Sequence, residues 1–273
     1  MRIVLVCPFP AGSRLGNRIT AIRWRSILAT LGHRATVTTG IPRRPYDLLV
    51  ALHAYKTAEA VRWSRAMHPA RPVVVALTGT DLSRDIHVHA EARRSLVLAD
   101  RLIVLHDLAR RQVPKAMRAK VRAIRQSAEP PAARPRGASQ RRIVDAKTFD
   151  VALVAHLRSE KDPLRAAEAA RLLPASSSVR ILHAGCHLTD EWARAAHDEA
   201  RSNQRYVPLG ETSPERAKRL IASARVLVLT SVSEGGANVL GEAIVAGTPV
   251  IATRIPAAVA ALGSDYPGFF RVG

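Results

Sequence analysis

Cysteine is nearly missing: Cys7 and Cys186, one in each half, are the two thiols among 273 residues. So few, so far apart in sequence, exclude a disulfide framework and suit a reducing cytoplasm. Aromatic residues reach 4%, too few for the stacking platform that grips single-stranded nucleic acid. No apolar run is long enough to span a bilayer, and the apolar part of MRIVLVCPFP is too short for a signal peptide. Acids are also scarce, 22 against 42 lysines and arginines, which leaves a formal net charge of +20. Such a field draws anions, from nucleic acid and acidic membranes to small phosphorylated substrates. The basic residues stand singly among alanines, without a dense block or a recognition motif, so no specific nucleic-acid partner is expected.

Apolar residues are plentiful at 47%, and a chain of this length favours two domains over one small core. The β-branched runs RIVLVCP, ATVTT, DLLVALHA, PVVVALTG, RLIVLH and VRAIRQ are separated by helix-length segments. One of these, NRITAIRWRSILATLG, predicts a helix with Ile19, Ile22, Ile27 and Leu31 inward and Gly32 as its stop. From Ala128 the stretch AEPPAARPRGASQ cannot hold a helix and reads as a linker. Strand and helix patterns then restart through FDVALVAH, VRILHAG, RYVPLG, ARVLVLTS and PVIAT, with Ser213-Pro214-Glu215 as a well-formed helix start. The expected fold is α/β: two Rossmann-like domains, over residues 1–133 and 141–273, facing across a cleft with ligands at the carboxyl ends of parallel strands. The chain stops soon after PVIAT, so its C-terminal end reads as short.

One stretch carries chemistry. After the apolar run ARVLVLT, the segment SEGGANVLGEA sets Glu234 before Gly235 and Gly236, and places Glu242 eight residues on. A glycine turn that opens a helix presents backbone N–H groups to an anion, best of all a phosphate. Glu234 at the turn can accept sugar hydroxyls, and Glu242, about two helical turns on, can take both hydroxyls of a ribose. An acid at each end of a diphosphate describes a nucleotide sugar.

This E-x7-E spacing and the continuation NVLGEAIVAGTPVIAT resemble the family 4 glycosyltransferases of the two-Rossmann-domain, GT-B type. VAHLRSEKDP, at 154 to 163, resembles the same family's R-x-x-K segment. The resemblance implies that Arg158 and Lys161 hold the donor diphosphate, where cations stabilise the charge left as the glycosidic bond breaks. It implies catalytic roles for Arg158, Lys161 and Glu234, and a donor site completed by Gly235, Gly236, Ala237, Asn238 and Glu242. No D-x-D stands at a strand end, so no metal and no cofactor are expected; the UDP-sugar is a substrate.

The N-terminal half is similar to the selenosugar synthases of selenoneine biosynthesis, through PAGSRLGNRITAIRWRSILATLGHRATVTTG, DLLVALHAYKTAEA and PVVVALTGTDLSRDI among other stretches. That resemblance implies selenophosphate as acceptor, UDP-N-acetylglucosamine as the expected donor, and a selenium–carbon bond in the product. The residues suit a small anion: Gly16, Asn17, Arg18 and Thr20 at a glycine-containing loop and helix start, His53 and Lys56 after DLLVAL, and Thr78, Gly79, Thr80, Asp81 and Arg84 after PVVVAL. Asp81 also reads as a helix N-cap. His87 and His89 read as surface residues, His183 and His187 as no metal site, and Trp24, Trp63 and Trp192 as packing residues. A family 4 enzyme acting on a carbohydrate or lipid hydroxyl is the alternative, and a nucleic-acid binder a distant third.

Overall fold

Valine- and isoleucine-rich runs that lack polar alternation have to bury both faces, which parallel sheets covered by helices on each side allow. The computed structural model describes residues 1–130 and 147–273. The domain limits expected at 133 and 141, and linker residues 131–140, lie outside the described residues. Two compact units emerge: Met1–Gln126 with Glu234–Gly236, and Ser127–Ser233 with Ala237–Gly273.

The first unit holds strands β1 (Arg2–Val6), β2 (Arg34–Thr38), β3 (Leu48–Leu52), β4 (Val73–Leu77), β5 (Arg101–Val104) and β6 (Val121–Ala123). They form one sheet in the order β2-β1-β3-β4-β5-β6, with every pair parallel. Its helices are α1 (Gly16–Thr30), α2 (Ala58–Met67), the single turn α3 (Ile86–Val88) and α4 (Ala90–Leu98). Val4, Val6, Leu49, Ala51, Val75 and Leu77 bury one sheet face against α2 and α4, through Ala60, Val61, Ala92 and Leu96. Ile3, Leu5, Val50 and Leu52 bury the other face against α1.

Helix α1 does not present the expected face. Ile22, Ile27 and Leu31 are exposed, and the buried positions are Thr20 and Ala21, with Trp24 and Leu28 packed beside them. Small residues let the helix lie close to the sheet, which turns the isoleucines outward. Its end does match expectation. Gly32 has φ +81°, and the N–H groups of Gly32 and His33 bond the carbonyls of Ala29 and Leu28, a Schellman stop.

The second unit holds β7 (Phe149–Val154), β8 (Val179–Ala184), β9 (Tyr206–Gly210), β10 (Val226–Leu229), β11 (Val250–Thr253) and β12 (Phe269–Phe270). Their order is β12-β11-β10-β7-β8-β9, again parallel throughout. Around them lie α5 (Arg165–Arg171), α6 (Asp190–Ser202), α7 (Pro214–Ser223), α8 (Asn238–Ala246) and α9 (Pro256–Leu262). Helix α7 starts as expected, with the Ser213 hydroxyl accepting the Arg216 N–H and proline in its first turn. The AGTP turn is fully used: Gly247 takes φ +69°, and the buried Thr248 hydroxyl donates to the Ile221 carbonyl at the end of α7 (2.8 Å).

Polar groups inside the second sheet are paired. Buried Asp150 receives both Nε and Nη2 of Arg180, at 2.7 and 2.9 Å. Buried His183 meets the Tyr206 hydroxyl at 2.7 Å and the Ala155 carbonyl at 2.9 Å. Burial holds its pKa down at about 4, so it is neutral at pH 7.

Candidate functional site

In a doubly wound sheet, ligands collect where the strand order reverses, at the carboxyl ends. The first sheet reverses between β1 and β3 and the second between β7 and β10. Among the described residues, four buried side-chain atoms have no hydrogen-bond partner: Thr78 Oγ1, His106 Nε2, Gln126 Oε1 and Arg158 Nε. Each lies one to four residues beyond the carboxyl end of its strand, in turn β4, β5, β6 and β7. Buried polar atoms are rarely left unpaired, and an orphan at the carboxyl end of a strand marks a place in its own unit where a ligand can supply a partner.

At the reversal point of the second unit, β7 runs into Arg158 and a tight turn, Ser159–Lys161, closed by Asp162 at φ +43°. Two bonds tie this turn to the end of β10. The Thr230 hydroxyl donates to the Lys161 carbonyl (2.8 Å), and the Val232 N–H donates to the Glu160 carbonyl (3.0 Å). The Thr253 hydroxyl, from β11, donates in turn to the Ser231 carbonyl (2.6 Å). Three neighbouring strand ends are thereby laced together. The Arg158 side chain is 38% exposed, and a Glu160 carboxylate oxygen stands 3.9 Å from its Nε, beyond hydrogen-bond reach.

Helix α8 opens at Asn238, with Ala237 in the cap position, no side-chain cap and no acid in its first turn. Glu242 lies half-buried one turn along, four residues from Asn238 and so on the same side of the helix. Glu234 is half-buried too. Gly235 and Gly236 do not take positive φ. Their reason is close packing within the first unit: a Cβ at Gly235 would collide with the Thr78–Gly79 backbone, and one at Gly236 would meet the Leu105 Cβ at 2.6 Å.

In the first unit, Gly12 turns at φ +87°, and α1 begins at Gly16 without a side-chain cap or an acid in its first turn. Asn17 and Arg18 follow; burial pushes the Cys7 thiol above its usual range, and Arg18 acts against that shift. Thr20 is buried and accepts the Gln126 amide (2.8 Å). Lys56 places its ammonium 5.0 Å from the Phe9 ring centroid.

Asp81 is wholly buried, and its carboxylate accepts the N–H groups of Ala54 (3.0 Å), Thr78 (3.0 Å) and Gly79 (2.8 Å). It braces the chain before it, which is the reverse of an N-cap. His53 is buried at φ +95°, and burial pushes its imidazole below the usual range. Its Nε2 stands 3.3 Å from Thr80 Oγ1 and 3.6 Å from Asp85 Oδ2. Arg84 Nε bonds the other Asp85 oxygen (2.9 Å).

Asp85, His106 and Gln126 were not among the expected site residues. Asp85 comes close to Thr80 because residues Asp81–Asp85 wind as a π-helix, whereas the 3.6-residue repeat sets positions five apart roughly 140° from each other. His106 caps the next turn by accepting the Ala109 N–H (3.1 Å), which leaves Nε2 as its orphan. His89 is only half-buried and stacks on Tyr55 at 4.0 Å, so it is less open than expected. Among the described residues no cluster of three or more metal-ligating side chains occurs, and no helix is long and apolar enough to cross a membrane.

Residues 138–271 match the family model of the glycosyl transferases group 1. No curated protein matches the sequence significantly. Among solved structures, the chain is similar to Anabaena HepE in complex with UDP-glucose, at 16% identity and a TM-score of 0.73, covering 100% of this chain and 86% of that one. It is similar to the sucrose-phosphate synthase of Thermosynechococcus elongatus at 17% identity and a TM-score of 0.74, covering 94% and 82%. An E. coli trehalose-6-phosphate structure bound with UDP-2-fluoro glucose aligns at 10% identity and a TM-score of 0.72, covering 99% and 88%. Likeness at such identities speaks for the fold. The chain has two parallel-sheet Rossmann-like domains that match the fold of the GT-B glycosyltransferase structures, and its residues 138–271 match the glycosyl transferases group 1 model.

Proposed function

We propose that the protein transfers a sugar from a UDP-sugar to an acceptor, with UDP as the leaving group. The observation that carries this reading is the laced turn at the β7–β10 reversal, where Arg158 keeps a buried Nε without a hydrogen bond. In the reaction, the bond from the anomeric carbon to the β-phosphate oxygen breaks, and the electron pair stays on UDP. Arg158 and Lys161 face that growing charge; a fixed guanidinium needs no reorganisation to meet it. Helix α8 adds its positive end, Glu242 takes the ribose hydroxyls, and Glu234 takes hydroxyls of the sugar. The complexes of HepE with UDP-glucose and of the E. coli protein with UDP-2-fluoro glucose support a UDP-sugar as donor.

For the acceptor, the N-terminal resemblance and the basic groups Arg18 and Lys56 favour selenophosphate, whose selenium would attack the anomeric carbon. A second reading, a sugar or lipid hydroxyl acceptor, is favoured by the buried His53–Asp85 pair, which the sequence did not reveal. Purified protein is mixed with UDP-N-acetylglucosamine and either selenophosphate or hydroxyl acceptors, and UDP release is followed. Selenophosphate-dependent release supports the first acceptor. Release with hydroxyl acceptors alone replaces it with the second, and no release with any acceptor contradicts glycosyl transfer.

A further inference from the structure

Helices seldom wind as π, and where they do the site is often functional. Here the π-turn Asp81–Asp85 begins after the three residues Thr78–Thr80 that follow β4, and it brings Thr80 beside Asp85. On the neighbouring strand end sits His53, a non-glycine residue held at φ +95°. Such backbone strain persists only where the surroundings enforce it, and it concentrates at sites of function. Asp81 supplies the enforcement, because its carboxylate fastens the Ala54 N–H beside His53 to the Thr78 and Gly79 N–H groups of the β4 loop.

The hydrogen-bond directions inside this cluster follow from one contact. The Lys56 N–H donates to His53 Nδ1 (3.3 Å), so in the neutral ring the proton is on Nε2. Nε2–H then points at Thr80 Oγ1 (3.3 Å). Thr80 in turn donates its own hydroxyl proton to Asp85 Oδ2 (3.5 Å). Asp85 is kept in place through its second oxygen by Arg84, whose side chain is 59% exposed while that of Asp85 is 1% exposed. With its proton committed inward and one lone pair taken by His53, the half-buried Thr80 hydroxyl has one acceptor position left.

We propose that Asp85 and His53 are positioning residues that fix the Thr80 hydroxyl as a hydrogen-bond acceptor for a protonated oxygen of the glycosyl acceptor. This rests on the reading that the first unit holds the acceptor. The group selected is an O–H, whether on a sugar or lipid alcohol or on a singly protonated phosphate-type anion. A fully ionised oxygen would meet a lone pair there and be disfavoured. Burial keeps His53 neutral against the pull of Asp81 and Asp85, while Lys56 and Arg84 act with burial. Protonation at low pH would put a hydrogen on Nδ1 and break the Lys56 contact, while Nε2–H stays on Thr80.

The test uses the full chain and measures UDP release from UDP-N-acetylglucosamine with selenophosphate and with hydroxyl acceptors, alongside UDP affinity by calorimetry. Asp85→Asn and Thr80→Val are each expected to raise the acceptor KM about tenfold, the scale of one hydrogen bond, with UDP affinity within about twofold of wild type. Thr80→Ser is expected to keep the wild-type KM, and Asp85→Asn with Thr80→Val to be no worse than Thr80→Val alone. Additive losses in the double variant, an unchanged KM in Asp85→Asn, or an equal loss of UDP affinity would overturn the proposal. If wild type releases no UDP with either acceptor, the transferase reading fails by itself, and nitrogen-15 NMR of the His53 ring decides the positioning claim. A neutral Nε2–H ring at pH 7 supports it; an Nδ1–H or charged ring overturns it.

Discussion

Replacing Thr230 by valine keeps the shape of a buried side chain, 2% exposed, and deletes the hydroxyl that donates to the Lys161 carbonyl at 2.8 Å. The carbonyl then loses this partner, which costs about 1–2 kcal/mol. That cost falls on the Arg158–Lys161 turn, still held by the Val232 N–H bond to the Glu160 carbonyl. A loss of about 1.4 kcal/mol of diphosphate stabilisation in the transition state is a factor of about ten in rate. UDP release should therefore slow about tenfold in kcat/KM, with a melting temperature lowered by only a few degrees. Thr230→Ser restores the hydroxyl and should recover most of the rate. Steady-state kinetics and thermal melts on the three proteins test this. Wild-type kcat/KM in Thr230→Val, or a loss that serine does not rescue, would refute the claim that this bond positions the turn.

Two further outcomes are expected. Glu242→Gln should weaken UDP binding about tenfold, the scale of a charge-assisted hydrogen bond to the ribose, and leave the urea midpoint unchanged; unchanged UDP affinity would remove Glu242 from the donor site. His183 should make the fold acid-sensitive. Its pKa is about 4 in the fold and near 6.5 in the unfolded chain, so protons bind the unfolded state first. Its contribution is complete above about pH 6.5 and is lost as pH falls towards 4, by about 3 kcal/mol in all. Urea titrations at pH 7 and pH 5 should show a larger loss for wild type than for His183→Gln; equal losses would contradict it.

The strands were legible because both sheet faces are covered, so runs such as VVVAL carry no polar residue to blur their limits. The helix α1 face was misread because Ile22 and Ile27 outrank Thr20 and Ala21 in hydrophobicity, whereas close approach to the sheet rewards small side chains. AGTPVIAT was legible as a family signature, and its physical ground is now visible in the left-handed Gly247 and the Thr248 bond to α7. The glycines after Glu234 were legible as special for an incomplete reason, since what crowds them is the Thr78 backbone and Leu105. Asp85 was hidden by the π-turn, which places it by a repeat that the sequence pattern does not announce. Asp150 was hidden by the apolar run around it, and His183 was read only as no metal site; their partners Arg180 and Tyr206 explain how both are tolerated in the core.

The laced turn after β7 is proposed to grip the diphosphate of a UDP-sugar. Calorimetric titration of UDP into wild type and Arg158→Ala tests it most directly. Wild type is expected to show saturable one-site binding, weakened about tenfold or more in Arg158→Ala, the scale of a charged hydrogen bond. No binding to wild type, or equal affinity in both proteins, would contradict it.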